Sequence, residues 1–220
     1  MEEKINYREE LAAIREGLKS AEEPYSNEEL ELLENGMYCC VLLAEENLQE
    51  QRGGNGLLAK ELLGYGEILE GYDHLLNAVQ ASANRMAEAI YDHPRLKLKL
   101  LKLRCLAMTR IECIEDHPIG LIEDIREEIC ELENNIAAAD RGEFDKITTE
   151  GHLKYDPVEW TARYEEVIDE VESIVEQRLA DHPRGMGFCH AYWLEKAAVL
   201  EKYGVEWRSP ARMNPGVMFD

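Results

Sequence analysis

Apolar residues recur at steps of three and four along almost the whole chain. That spacing lines one face of an α-helix and leaves little room for sheet. Tyr7, Leu11, Ile14 and Leu18 make the first stripe, and a break over Glu22–Tyr25, with Pro24 inside it, ends the helix. Ser26-Asn27-Glu28-Glu29 then reads as a capping box, with the serine oxygen and Glu29 each meeting a free backbone N–H. The helix it opens turns Leu30, Leu33, Met37, Val41, Ala44 and Leu48 inward and stops at the Gly-rich stretch 53–56. Leu57–Leu63 reads as a short helical turn interrupted by Gly64 and Gly66. A long helix follows from Glu67, striped by Leu69, Tyr72, Leu76, Val79, Ala83, Met86 and Ile90. Arg95–Leu100 alternates like a strand, but Leu100-Leu101 breaks the alternation and the helical pattern continues.

The tripeptide Asp-His-Pro occurs at 92–94, 116–118 and 181–183. The residue before proline avoids the helical region, whereas proline suits the first helical turn. Each copy therefore predicts a helix stop followed by a helix start. Asp156-Pro157-Val158-Glu159 predicts another start, with an N-cap, an early proline and a carboxylate at the positive end of the dipole. Trp160, Tyr164, Val167, Val171, Ile174 and Arg178 form its stripe. A last helix is expected over Phe188–Tyr203, capped by Gly204. The fold class is all-α. About seven helices are expected in an irregular, mostly antiparallel bundle, with residues 1–183 as an acidic body closed by an aromatic segment, 184–220, in one continuous domain.

Charge narrows the partners. The 220 residues carry 24 Lys and Arg against 46 Asp and Glu, a net charge of -22. Such a surface repels nucleic acid and anionic membrane and steers toward basic partners. The exception is the stretch Pro94–Arg110, with Arg95, Lys97, Lys99, Lys102, Arg104 and Arg110 and no acid. It is expected to lie among acidic helices and offset their repulsion. The start of the chain is acidic, unlike a secretory leader. No run of apolar residues approaches a membrane span. The six cysteines lack disulfide-framework spacing and read as reduced thiols, so a cytoplasmic setting is expected.

The histidines of the three Asp-His-Pro turns invite a metal reading. A helix of about 22 residues at 1.5 Å rise separates its ends by roughly 33 Å, so His93 and His117 cannot share an ion. All three read as helix punctuation. Cys189-His190 lacks the paired spacings of a zinc site. Two carboxylate rows stand at helical spacing: Glu28, Glu31 and Glu34, and Glu165, Glu166, Asp169, Glu172 and Glu176. They sit opposite apolar stripes and are expected to be solvated. Paired rows of this kind are similar to those of all-helical nucleotide pyrophosphohydrolases. The alternative reading is therefore a magnesium-dependent hydrolase using Glu28/Glu31 and Glu166/Asp169. Phosphate loops, dinucleotide glycine patterns and nucleophile elbows do not occur, and no cofactor is expected.

Six of the sixteen aromatic residues fall in 184–220, among them Trp193, Trp207 and Phe219. The pattern Gly187-x-Cys189-His190-x-Tyr192-Trp193, Tyr203-Gly204-x-x-Trp207-x-Ser209-Pro210, Met213-Asn214-Pro215 and Phe219-Asp220 resembles the tail of uncharacterised bacterial proteins, some carried by phage and mobile elements. The resemblance covers only these last residues and implies no activity. Trp193, Trp207 and Phe219 are expected either to close the bundle or to dock a partner. Together these features predict a non-enzymatic acidic protein whose carboxylate rows occupy a basic protein surface in place of nucleic acid. Its most concrete form is an inhibitor of a nucleic-acid-handling defence nuclease. A structural subunit, dimerising through an apolar face, is a further alternative.

Overall fold

A computed structural model describes residues 6–20, 24–90, 92–148 and 151–219. The acidic first residues, Glu22 and Glu23 of the expected break, and Asp220 lie outside them. Among the described residues the fold is all-α: α1 Tyr7–Ser20, α2 Asn27–Gln49, α3 Asn55–Leu69, α4 Leu76–Ala89, α5 Pro94–Glu115, α6 Leu121–Asp140, α7 Ala162–Arg178, α8 Phe188–Lys202 and the single turn α9 Pro210–Met213. No strand occurs among them, and no helix is long and apolar enough to cross a membrane.

The chain divides into two compact units. The first comprises Met1–Glu46, Asn55–Tyr91 and Leu96–Ile129, and the second Asn47–Gly54, Asp92–Arg95 and Cys130–Asp220.

The first unit has an apolar interior. Leu30, Leu33, Met37, Val41 and Ala44 of α2 are buried, as are Leu76, Val79, Ala83 and Met86 of α4. Two departures from the sequence reading concern α3. It runs unbroken through Gly64 and Gly66, and the break comes later, over Glu70–Tyr72, before a 3-10 turn at Asp73–Leu75. The reason is packing. A Cβ on Gly66 would lie 2.5 Å from Cδ2 of Leu103 on α5, so this glycine admits a close helix contact rather than ending a helix. Gly36 does the same for α2, where a Cβ would stand 2.8 Å from the Tyr65 ring. Buried Asn55, at the start of α3, donates to the carbonyls of Ala44 (3.1 Å) and Ala89 (3.0 Å), joining three helices at one amide. The capping box forms with a one-residue shift. Ser26 Oγ accepts from Glu29 N–H at 3.2 Å, while the Glu29 carboxylate reaches back to the N–H of Tyr25.

In the second unit α7 packs on α8. Their shared core holds Tyr164, Ile168, Val171, Val175, Phe188, Val199, Leu200 and Trp207. The start expected at Asp156 becomes a 3-10 turn over Pro157–Trp160, and α7 begins afterwards with Thr161 as its cap, whose side chain accepts from Tyr164 N–H at 3.2 Å. Asp156 still caps, accepting from Val158 N–H at 3.2 Å, but its carboxylate is also taken by Arg208. Only the first Asp-His-Pro starts a helix at its proline. After the other two, helices resume at Leu121 and Phe188. Gly204 closes α8 as expected, at φ 75°, and Val205 N–H returns to Leu200 O at 3.0 Å.

Candidate functional site

A lysine on the apolar side of a helix organises the second unit. Along α8, Phe188, Tyr192, Lys196 and Leu200 step by four, so Lys196 occupies a core position. It is 2% exposed. A buried ammonium must be paired or it neutralises. Lys196 Nζ stands 3.0 Å from Asp92 Oδ2 and 3.7 Å from Glu172 Oε1. Three aromatic faces complete its surroundings, Trp207 at 5.4 Å, Tyr164 at 5.6 Å and Tyr192 at 6.0 Å, within the range of cation–π attraction. Burial opposes the charge on Lys196, but the tyrosines, Asp92 and Glu172 outweigh it, and its pKa lies well above the ordinary lysine value.

His93 joins the same cluster. Pro94 at the first position of α5 fixes the preceding turn, which directs His93 into the interior, where it is 1% exposed. Its Nε2 lies 3.5 Å from Glu172 Oε1 and 3.7 Å from Asp92 Oδ1. Its Nδ1 has no hydrogen-bond partner. Burial disfavours the imidazolium, yet Asp92 and then Glu172 override it and raise its pKa to about 9. Burial likewise works against the Asp92 carboxylate, but Lys196 and His93 hold it down at about 2. Two cations thus balance two carboxylates, and a buried charge set of this kind is stable only when closed.

The Gly-rich loop supplies the remaining donors. Gly54 N–H donates to Glu172 Oε2 at 3.1 Å, and Gly53 N–H to Glu176 Oε1 at 2.7 Å. A Cβ on Gly53 would stand 3.1 Å from Tyr192 Oη and 3.4 Å from Glu176 Oε1, so the loop lies close against α7 and α8 at this residue. Glu176 is also paired with Arg184 at 2.6 Å, and that guanidinium lies 4.8 Å from the Phe188 ring centre.

A second anionic centre lies beside the first. Glu159, buried on the 3-10 turn, accepts from the Trp207 indole N–H at 2.6 Å. Burial pushes its pKa up to about 7, against the pull of Lys196 and the indole and with the push of Asp92 and Asp156. Asp156 takes three bonds from Arg208, at 2.7, 3.0 and 3.1 Å. Asn214 exchanges bonds of 2.8 Å with both backbone groups of Lys154. The tail 207–214 is therefore latched onto 154–159 by polar contacts rather than by aromatic area alone.

The expected residues meet different fates. Glu28 and Glu31 are exposed on α2 and Glu34 is half-buried. Of the five expected α7 carboxylates, Glu166 alone is exposed, paired with Arg163 at 3.3 Å. Glu165, Asp169 and Glu176 are half-buried, and Glu172 is 4% exposed. A wholly solvated row on α7 is thus corrected. Glu172 follows Ile168 by four and precedes Val175 by three, on the flank of the stripe and within reach of Lys196. His93 precedes the start of α5 as expected and also joins the buried cluster, beside the same Glu172. Trp207 is buried in the core, whereas Trp193 is half-buried and stacks edge-on against Phe219, with centroids 5.2 Å apart. The signal that could have exposed the cluster is Lys196 itself, a lone cation at a core register, which demands buried carboxylates somewhere in the chain. Comparison with protein-family models, with curated proteins and with solved structures finds no match.

Proposed function

We propose that the protein is a non-enzymatic acidic helical interaction protein that occupies a basic surface on a partner. The observation that supports this best is how the first unit distributes its charge. Several of its cations are tied down: Arg15 to Glu61 at 2.5 Å, Arg85 to Glu45 at 2.8 Å, Lys97 to Glu128 at 2.6 Å and Arg110 to Asp73 at 2.5 Å. Glu9, Glu10, Glu28, Glu31, Asp124 and Glu127 remain exposed on α1, α2 and α6. Carboxylates at helical spacing on a rigid body speed encounter with a basic surface and compete there with phosphates. Joined to a tail that resembles phage-carried proteins, this favours an inhibitor of a nucleic-acid-handling nuclease as the concrete form.

The test is capture of a partner by the purified chain at low and high salt, in parallel with the variant E28K/E31K/D124K/E127K. Retention should fall steeply with salt and be lost in the variant, because exposed charges act within a Debye length. Retention indifferent to both salt and charge reversal ends the reading. Hydrolysis of nucleotides by the chain, abolished by Glu31→Gln or Glu166→Gln, would favour the magnesium enzyme instead.

A further inference from the structure

We propose that Asp92, His93 and Glu172 form a binding site for one divalent transition cation of the zinc–manganese class. The three side chains offer one ligand atom each, all within 4.8 Å of one another. The two nearest separations, 3.5 and 3.7 Å, are long for hydrogen bonds but match the edge of a coordination shell with bonds of about 2.0–2.2 Å. What makes the set more than a charge cluster is the division of labour between the oxygens. Asp92 turns Oδ1 toward His93 and gives Oδ2 to Lys196. Glu172 turns Oε1 toward His93 and gives Oε2 to the Gly54 N–H. Each carboxylate therefore has one oxygen held by an outer donor and one turned toward His93, with Lys196 also 3.7 Å from Glu172 Oε1. That is the pattern by which second-layer contacts orient metal ligands.

The imidazole presents the third ligand atom. His93 is buried and its Nδ1 has no partner, so the polar contacts of this side chain lie on its Nε2 edge, toward the two carboxylates. One nitrogen and two oxygens suit a borderline first-row cation better than magnesium, which prefers oxygen and retains its waters. Binding exchanges the Nε2 proton, released to solvent, for the metal–nitrogen bond. Lys196 remains on Asp92 Oδ2 as an outer donor, and the ring faces of Tyr164, Tyr192 and Trp207 sustain its charge. The site lies wholly within the second unit and is independent of the interaction reading above.

The experiment uses the full chain, stripped with chelator and dialysed against Zn2+, Mn2+ or Mg2+ in separate arms. Bound metal is measured against protein, and thermal melting is followed in parallel. One Zn2+ or Mn2+ per chain is expected, with a rise in melting temperature that Mg2+ does not reproduce. His93→Gln and Glu172→Gln should each weaken binding at least about tenfold, while Glu201→Gln, exposed near the end of α8, should leave it unchanged. If either buried variant fails to fold, the wild-type melting shift and the metal-to-protein ratio decide alone. No bound transition metal on the folded wild-type chain overturns the proposal. So does full binding retained in folded His93→Gln, and so does equal stabilisation by Mg2+, which would mark diffuse binding to surface carboxylates.

Discussion

The helices α2 and α7 carry the same signature, carboxylates at three- and four-residue steps beside an apolar stripe, and the fold treats them in opposite ways. Glu28 and Glu31 face solvent from a unit whose interior is mainly apolar. Glu172 goes inside a unit whose interior holds Lys196, His93 and Glu159. The difference teaches that a carboxylate's place is set by where its counter-charge lies. Glu28 and Glu31 lie in solvent on α2, whereas α7 packs on α8, which carries Lys196 at a core register.

The comparison can be broken most sharply at Lys196. Lys196→Met keeps much of the volume but leaves Asp92 and Glu172 without their ammonium. A loss of about 3–5 kcal/mol is expected in urea unfolding, because removing one partner strands buried charge. A change under 1 kcal/mol would mean that the charged interior contributes nothing specific.

Next in size is the response to pH. Glu159 has a folded pKa of about 7 against an ordinary 4.5, so the folded chain keeps a proton that the unfolded chain releases. Its contribution is fully present below pH 4.5 and is lost as pH rises through 7. At 1.36 kcal/mol per pKa unit, the swing is about 3 kcal/mol, and Glu159→Gln should flatten it. Unfolding midpoints measured across that window check both, and a variant that retains the full slope would refute the assignment.

The first unit should respond to volume rather than charge. Gly66→Ala pushes a methyl group against Leu103, and a cost of about 1–3 kcal/mol is expected from overpacking. Smallest of all is Glu28→Gln with Glu31→Gln, expected within about 0.5 kcal/mol of wild type, since exposed substitutions away from special contacts rarely matter. A large loss there would erase the contrast between the two helices.

Much of the fold was legible from local pattern. The stripes on α2 and α4, the helix starting at Pro94, the cap at Gly204 and the absence of strands among the described residues all follow from spacing and from the backbone rules of proline and glycine. Local pattern misleads where one residue type serves two purposes. Gly64 and Gly66 looked like punctuation, but a close contact with Leu103, distant in sequence, makes Gly66 part of a helix face. Asp156 has the chemistry of an α-helix cap, yet it serves a 3-10 turn and an arginine from the tail. His93 stands in a tripeptide that recurs twice more, and local sequence alone does not distinguish its buried copy.

By itself, then, the sequence determined an all-helical chain with a large excess of carboxylate, because helix formation depends on neighbours three and four residues away and net charge depends on composition alone. Which carboxylates stay in water was decided only by tertiary structure. Asp92, Glu172 and Lys196 come from three separate segments, and burying a charge is tolerable only where packing delivers its opposite within a few ångströms.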